Sequence, residues 1–465
     1  MYDLLVPRVI APLYERLSGR RPWTEAARLQ ALQWQTAEDL AGQVLARLRP
    51  LLIHAAEHVP YYQRCFRTAG VTANDVHALA DLERLPLATK ASLRAAFPSG
   101  VLADNLPARR RTQRVTGGST GAPFPFFADR ASTDLRLGCY LLFRQWAGVG
   151  ARAVRLHIAS PVHFQNRPSA IELLLRRLLL GDHVRFIAGT GLTAAQLCAA
   201  VRQTAARHPY FLWTYPSYAA RIAEDLLAGG PALSRHPDVV ICYAETLTER
   251  DAALMRHAFR CPVVNLYSSM EVPLMALTCP DDRELLHVNS LRVVLRVVRE
   301  DGRDALPGQG GRVVVTDLSN YVMPLINYEL GDNAVAGPPC RCGRGFPTLR
   351  AIDGRSAEAI RTPDGRVVPA STLNGFLIET CGAAALLREY QAVQTAPDAV
   401  TLRVVPTAQF TLASAAALEA QLAAFLGPAI HTTVDVVADI PVERSGKRLL
   451  IKSHAATSPA PTTAR

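Results

Sequence analysis

Between Val154 and Leu266, short apolar runs alternate with amphipathic stretches, and this rhythm limits the folds open to the chain more than any other feature. Val154–Ala159, Phe211–Thr214, Val239–Tyr243 and Val263–Leu266 have strand character, and Thr193–His208, Ser217–Leu227 and Thr248–Phe259 carry apolar residues at helical spacing. Thr193, Ser217 and Thr248 stand where helix N-caps are expected, and Asp251 three residues after Thr248 approximates a capping box. Strands alternating with helices predict an α/β fold with a largely parallel sheet covered by helices. Residues 1–100 read as a mostly helical lead-in: Ala26–Leu52 keeps helical spacing until His58-Val-Pro-Tyr-Tyr62 breaks it at a proline. After Leu285 the texture turns to β, with Val293–Val298 and Arg312–Thr316 flanking the turn-rich Asp301–Gly311. A Gly/Pro/Cys-rich stretch from Gly331 to Pro347 follows, and beyond Gly354 comes a smaller α+β segment. The expected organisation is a large N-terminal domain, 1–353, with mixed, largely parallel sheets, flanking helices and a β subdomain. A small α+β domain, 354–454, and a disordered tail, 455–465, complete it.

Composition narrows the function classes. A chain of 465 residues exceeds one ordinary domain, and 49% hydrophobic with 20% charged residues excludes disorder throughout. No apolar run reaches the roughly 18 residues that a bilayer demands; the densest, Ile171–Leu180, is broken by Arg176 and Arg177. The N-terminus lacks a signal-peptide pattern, so a cytoplasmic protein without a membrane span is expected. The formal charge of +11 comes from 48 arginines among 51 basic residues, scattered except for Arg109, Arg110, Arg111 and Arg114. That distribution argues against a nucleic-acid partner and suits anionic small molecules such as nucleotides. Nine cysteines, an odd number, give no disulfide framework.

Four segments carry chemistry. Thr116-Gly117-Gly118-Ser119-Thr120-Gly121-Ala122-Pro123 is rich in glycine and hydroxyls, so its backbone N–H groups can surround phosphate oxygens, although it lacks the Gly-Lys-Ser/Thr of a Walker loop. A plain surface turn is its other reading. Tyr267-Ser268-Ser269-Met270-Glu271 follows a strand directly, where open α/β sheets bind ligands; its ring can stack a base and its carboxylate hold magnesium. It reads equally as an ordinary strand exit. Tyr328-Glu-Leu-Gly-Asp332, followed by Gly354-Arg355, offers a carboxylate that is otherwise a turn former. Pro441-Val-Glu-Arg-Ser-Gly-Lys447 is sharpened by composition, because only Lys90, Lys447 and Lys452 are lysines. A mobile point charge is what lysine supplies and arginine does not.

In this order and spacing the segments resemble the adenylate-forming superfamily, most closely its phenylacetate–coenzyme A ligase and capsular-polysaccharide-protein branch. Val59-Pro-Tyr-Tyr62, Leu85-Pro-Leu-Ala-Thr-Lys90, Ala244-Glu245 and Pro363-Asp-Gly-Arg366 support that branch. The resemblance implies that residues 116–121 hold the ATP β,γ-phosphates. Ala244 and Glu245 would lie by the adenine, Tyr267 and Ser268 would line the nucleotide site with Tyr267 stacking on the base, and Glu271 would bind magnesium. Asp332 would grip the ribose hydroxyls, and Arg355 would sit at a hinge. Lys447, on a mobile C-terminal domain, would bridge carboxylate and α-phosphate. The implied reaction turns a carboxylic acid, expected to be aromatic, into an acyl-adenylate and passes the acyl group to coenzyme A or to the phosphopantetheine of an acyl-carrier protein. A homodimer is compatible with this reading.

The chain departs from the pattern at three places: Ala122 where many relatives carry lysine, Asn327-Tyr328-Glu329 before Asp332, and Ser356-Ala357-Glu358 after the hinge. The last leaves open adenylation alone or transfer to an amine. A non-catalytic nucleotide- or nucleic-acid-binding scaffold is the reading from another class. Cys279, His287, Cys340 and Cys342 would make a closed zinc set of three thiolates and an imidazole, as in some relatives, or are four unrelated reduced side chains. The other cysteines fall in apolar patterns, and His157 and His163, near the first strand's end, read as satisfied loop or core residues.

Overall fold

Among the described residues the lead-in begins with helices α1 (Ala11–Ser18), α2 (Pro22–Leu32), α3 (Ala37–His58) and α4 (Pro60–Ala69). The pattern expected to run from Ala26 to Leu52 is therefore interrupted at residues 33–36. Gln33 leaves the helix because tertiary partners claim it: its side-chain oxygen accepts from Trp146 Nε1 at 2.8 Å, and its carbonyl accepts from the Gly345 amide at 3.0 Å. Thr36 then caps α3, its hydroxyl accepting from the Asp39 amide at 3.1 Å. The computed structural model describes residues 9–106, 111–115, 124–150, 153–159, 174, 177, 181–189, 192–355, 359–364, 366–441 and 449–453. The chain divides into two compact units, Met1–Ile352 and Asp353–Arg465.

In the first unit a short helix α5 (Lys90–Ala96) precedes an antiparallel ribbon of β1 (Thr112–Val115) and β2 (Pro125–Ala128). Helix α6 (Arg130–Trp146), capped by Asp129, packs so closely on α2 that a Cβ at Gly138 would lie 2.9 Å from Glu25 Cβ. Then come β3 (Val154–Ala159), β4 (His183–Ala188), α7 (Ala194–Ala205), β5 (Tyr210–Thr214), α8 (Pro216–Leu227), β6 (Val240–Tyr243), α9 (Glu249–Phe259) and β7 (Val263–Tyr267). The expected alternation is present, with one strand more, His183–Ala188. Pro216 rather than Ser217 opens α8, since proline suits the first helical position.

The β-rich part comprises β8 (Ala276–Thr278), β9 (Leu286–Val288), β10 (Val293–Val298), β11 (Gly310–Asp317), β12 (Tyr328–Ala336) and β13 (Thr348–Arg355). It is continuous with the parallel part in one eleven-stranded sheet, ordered β10-β11-β12-β13-β9-β8-β7-β6-β5-β3-β4. Pairing is parallel from β4 to β7 and antiparallel at the β7–β8, β8–β9, β9–β13, β10–β11 and β11–β12 pairs. One buried cluster joins β3, β5, β6 and β7 to helices α6–α9; a second joins α3 and α4 to the antiparallel strands. Leu266 belongs to the first and Tyr267 to the second, so β7 serves both through its alternating faces.

The second cluster also encloses polar anchors. Asn327, 1% exposed and at φ 48°, donates from Nδ2 to the carbonyls of Leu82 (2.7 Å) and Leu85 (2.9 Å) and accepts from Arg296 Nη1 at 3.2 Å. The Ala88 amide donates to the Asn327 carbonyl at 2.9 Å, and the Glu329 amide donates to the Ala88 carbonyl at 2.8 Å. This residue ties the Leu85–Lys90 segment to the start of β12. Asparagine fits because it tolerates a left-handed backbone and offers a donor and an acceptor.

The second unit has a hairpin of β14 (Ala359–Arg361) and β15 (Val367–Pro369), short helices α10 (Ala370–Gly375) and α11 (Ala383–Leu386), and a four-stranded sheet. That sheet is ordered β18-β17-β16-β19, from β16 (Leu387–Ala396), β17 (Ala399–Pro406), β18 (His431–Val436) and β19 (Ile451–Ser453). Helix α12 (Leu412–Leu426) adds Leu418, Leu422 and Leu426 to its core. No described helix is long and apolar enough to cross a membrane. Asn327→Ala removes three buried side-chain hydrogen bonds at a positive φ, so it should lower the unfolding free energy by roughly 3 kcal/mol in denaturant titration.

Candidate active site

Parallel pairing ends at β7, and the chain leaves that strand at Tyr267 to return antiparallel as β8. The exit loop is held by its own serines: Ser269 Oγ accepts from the Val272 amide at 2.9 Å, and Ser268 Oγ accepts from the Leu274 amide at 3.2 Å. This tight turn, with Leu274 at φ 61°, presents Glu271 at its apex. Tyr267 donates its hydroxyl hydrogen to Asp332 Oδ2 at 2.7 Å, linking the exit of β7 to the middle of β12. Gly331 beside Asp332 sits at φ 81°, a backbone shape that glycine adopts without a Cβ clash. Three residues singled out from the sequence (Tyr267, Glu271 and Asp332) thus belong to one region, with Ser268 as its brace.

A fourth residue joins them that the sequence reading left without a role. Lys90 Nζ lies 4.0 Å from Glu271 Oε1. It opens α5, whose cap Thr89 accepts from the Ser92 amide at 3.1 Å, and the Ala88–Glu329 bonding described above holds the segment leading to it. The signal available was scarcity, since Lys90 is one of three lysines among 51 basic residues.

Ala244 and Glu245 follow β6. Ala244 is at φ 70°, a strained position for a residue with a Cβ. The Glu245 carboxylate accepts from the Ser217 amide and the Ser217 hydroxyl, each at 3.0 Å, at the N-terminus of α8 where the helix dipole favours negative charge. Tyr243, the last residue of β6, shares a 2.7 Å hydrogen bond with His157 Nε2, and burial pushes its phenol well above the ordinary range. Rings of Phe186, Trp213 and Tyr243 surround His157, and Tyr215 packs edge-on against Tyr243. His157 is thereby a hydrogen-bonded member of an aromatic cluster.

Thr116, Gly117, Gly118, Ser119, Thr120, Gly121, Ser356–Glu358, His163 and Lys447 lie outside the described residues. Gly354 and Arg355 are the last two residues of β13. The Pro363–Arg366 segment connects β14 to β15, with the Thr362 amide donating to the Arg366 carbonyl at 2.9 Å.

The cysteine and histidine set converges. Cys279 follows β8, His287 is central in β9, and Cys340 and Cys342 lie between β12 and β13; their donor atoms are all within 4.8 Å of one another. Cys279 Sγ and Cys340 Sγ are 3.8 Å apart, and His287 Nε2 is 3.1 Å from Cys342 Sγ. A tetrahedron with Zn–S bonds of about 2.3 Å has an S···S edge of about 3.8 Å, so the spacing fits zinc. His287 Nδ1 lies 3.2 Å from the Phe346 carbonyl, which fixes that nitrogen as the N–H and leaves Nε2 facing the thiols. Arg344 extends the support, donating to Gln33 Oε1 at 3.1 Å and lying over the Trp34 ring at 4.6 Å. Gly345 has no alternative here, because a Cβ would fall 2.1 Å from the Gln35 carbonyl oxygen.

No protein-family model matches the chain. It is similar to a phenylacetate–coenzyme A ligase of Thermus thermophilus, 28% identical over 329 residues that span 70% of this chain and 72% of the relative. A phenylacetate–coenzyme A ligase of Escherichia coli is 24% identical over 353 residues, 74% of this chain and 77% of the relative. In fold it resembles a 2-hydroxyisobutyryl-CoA ligase solved in its postadenylation state, with TM-score 0.72, 20% identity, and 90% and 91% of the two chains covered. An anthranilate CoA ligase bound to anthranoyl-AMP aligns with TM-score 0.53 at 13% identity, over 77% of this chain and 69% of the other.

Protein purified without chelators should contain about one zinc per chain by elemental analysis, and Cys340→Ser should lower both zinc content and thermal stability. Metal-free protein of unchanged stability would reduce the cluster to four ordinary side chains.

Proposed function

The chain belongs to the adenylate-forming superfamily, in its phenylacetate–coenzyme A ligase-like branch, and we propose that it activates a carboxylic acid with ATP and transfers the acyl group to coenzyme A. The observation that carries this reading is the grouping of Tyr267, Glu271 and Asp332 where the sheet changes from parallel to antiparallel, the place at which α/β sheets bind nucleotides. A carboxylate is a poor electrophile because its leaving group would be oxide. When its oxygen attacks the α-phosphorus, pyrophosphate leaves, and the product is an acyl-adenylate whose leaving group is AMP. A thiol then attacks the acyl carbon and releases AMP.

In this proposal Tyr267 stacks on the adenine beside Ala244 and Glu245, and Asp332 accepts from the ribose hydroxyls. Residues 116–121 enclose the phosphates, with Ser268 fixing the loop that carries Glu271. Glu271 would hold magnesium, which supplies positive charge to the triphosphate when bound. Lys447 offsets repulsion between the anionic carboxylate and the phosphate, the role that a preorganised cation performs best. The small domain, 354–454, rotates about Gly354-Arg355 between the half-reactions, and the Pro363–Arg366 hairpin lines the thiol path. Zinc held by Cys279, His287, Cys340 and Cys342 is structural. The rings of Phe186, Trp213 and Tyr243 support an aromatic acid. Coenzyme A rather than a carrier-protein phosphopantetheine is the acceptor favoured by the relatives' activity, in a cytoplasmic enzyme.

Acid-dependent ATP–pyrophosphate exchange over a panel of aryl and fatty acids tests the reading. Lys447→Ala should depress that exchange by roughly 10²–10³ while Lys452→Ala leaves it intact, by analogy with removing one charge-stabilising donor. Glu271→Gln keeps the shape but loses a charge, so its magnesium requirement should rise steeply; an unchanged magnesium titration would place Glu271 outside the site. Supplying coenzyme A and a phosphopantetheinylated carrier together identifies the acceptor from the product.

A further inference from the structure

Helix α1 is inverted for a surface helix of a globular chain, whose apolar stripe ordinarily faces the core. Leu13 and Leu17 are 56% and 79% exposed, and Val9 and Ile10, in the turn that leads into α1, are 54% and 41% exposed. Ile10 already has helical dihedrals (φ −70°, ψ −44°), so Val9, Leu13 and Leu17 recur every four residues and share one face, with Ile10 beside them. The opposite face is the one that packs. Ala11 is fully buried, and Glu15, four residues on, accepts from the amides of Trp23 at 2.8 Å and Thr24 at 3.0 Å. The helix is also pinned at its end: Gly19 closes it at φ 65°, and Arg130 of α6 donates to the Ser18 carbonyl at 2.8 Å. A carboxylate thus points inward and four aliphatic side chains point outward, in a helix whose polar bonds hold it in that orientation.

We propose that α1 is an interfacial helix that binds an anionic lipid surface, its aliphatic face entering the headgroup region and its arginines meeting lipid phosphates. Charge selects this occupant. From Val9 to Arg21 the single acid is Glu15, already committed to Trp23 and Thr24, against Arg16, Arg20 and Arg21. Arg20 pairs with Asp134, which leaves Arg16 and Arg21 exposed, with Arg130 of α6 exposed beside the end of the helix. At helical spacing Arg16 flanks Val9 on one border of the stripe, and Tyr14 flanks Ile10 on the other. Tyr14 and Trp23 are half-buried and pack edge-on with ring centroids 5.9 Å apart, the type of amphipathic ring that settles at a membrane–water boundary. An aliphatic stripe bordered by arginine and amphipathic rings is the pattern of a helix that lies in the plane of a bilayer surface.

A second copy of the chain is the competing occupant. Four side chains on an eight-residue helix fall far short of the roughly 20–30 residues a side that a stable protein interface takes, whereas a lipid surface sets no such minimum. Eight residues rise only about 12 Å, so the helix rests on a bilayer and does not cross it. Guanidinium forks match phosphodiester oxygens, and their attraction to a charged leaflet decays within a Debye length. The inference is independent of the adenylation reading, because none of these residues belongs to the candidate active site.

Full-length protein is sedimented with vesicles of equal parts phosphatidylglycerol and phosphatidylcholine, and with vesicles of phosphatidylcholine alone. It should bind the anionic vesicles about tenfold or more tightly than the neutral ones, and less tightly as salt rises. Leu13→Ser combined with Leu17→Ser should weaken binding about tenfold or more; Arg16→Gln combined with Arg21→Gln should weaken it about tenfold and flatten the salt dependence. Both pairs replace exposed side chains, so circular dichroism and thermal unfolding that match wild type establish that the variants are folded. No binding to anionic vesicles, equal binding to both vesicle types, or undiminished binding by the folded leucine pair overturns the proposal. A dimer seen by sedimentation velocity without lipid, and lost in the leucine pair, hands this face to a second copy and overturns it as well.

Discussion

At Tyr267 the sheet stops being parallel, and the candidate site follows from that reversal. Parallel strands β4 to β7 are joined in chain order by helices α7, α8 and α9, and the parallel strands deliver their carboxyl ends to one edge. The strand after β7 must turn back, so the chain leaves β7 through a tight loop instead of a helix. Ser268 and Ser269 fasten the loop, Glu271 stands at its apex, and the Tyr267 hydroxyl bonds Asp332 across to β12. An aromatic ring, two carboxylates and Lys90 are thereby assembled from three separate stretches of chain.

Two buried clusters meet at β7, and polar anchors make their junction specific. Asn327 ties the segment before Lys90 to β12, and the buried Arg292–Asp317 pair braces the wall beside Glu271. Buried polar groups of this kind stabilise only when their partners are complete, so they select one arrangement among many that would bury the same apolar surface. The Cys279–His287–Cys340–Cys342 set performs a parallel task at the other side of the antiparallel strands. Through Arg344 and Gly345 it couples the segment before β13 to the break between α2 and α3.

Much of this was legible in the sequence, and the exceptions have physical causes. The buried strands around Phe211–Thr214 and Val239–Tyr243 advertised themselves as continuous apolar runs. His183–Ala188 did not, because it is the edge strand and its half-exposed positions include His183 and Arg185. The break at Gln33 carries neither proline nor glycine; Trp146 and Gly345, distant in sequence, create it. Ser217 was read as a helix cap, whereas its hydroxyl and amide serve Glu245. The four zinc-type donors were legible from residue type alone, but that Nδ1 of His287 is committed to Phe346 needed three dimensions. Lys90 was visible as a rarity of composition and as the end of the Leu85–Lys90 segment, but its place beside Glu271 was not, since that partner is far along the chain.

The central claim is that a carboxylate oxygen attacks the α-phosphorus of ATP. Running the complete reaction with an acid labelled with ¹⁸O in both carboxylate oxygens, and analysing the products by mass spectrometry, tests it directly. The account predicts that AMP gains one ¹⁸O while pyrophosphate gains none and the thioester retains one. Label appearing in inorganic phosphate, or in no phosphorus-containing product while thioester accumulates, would contradict it.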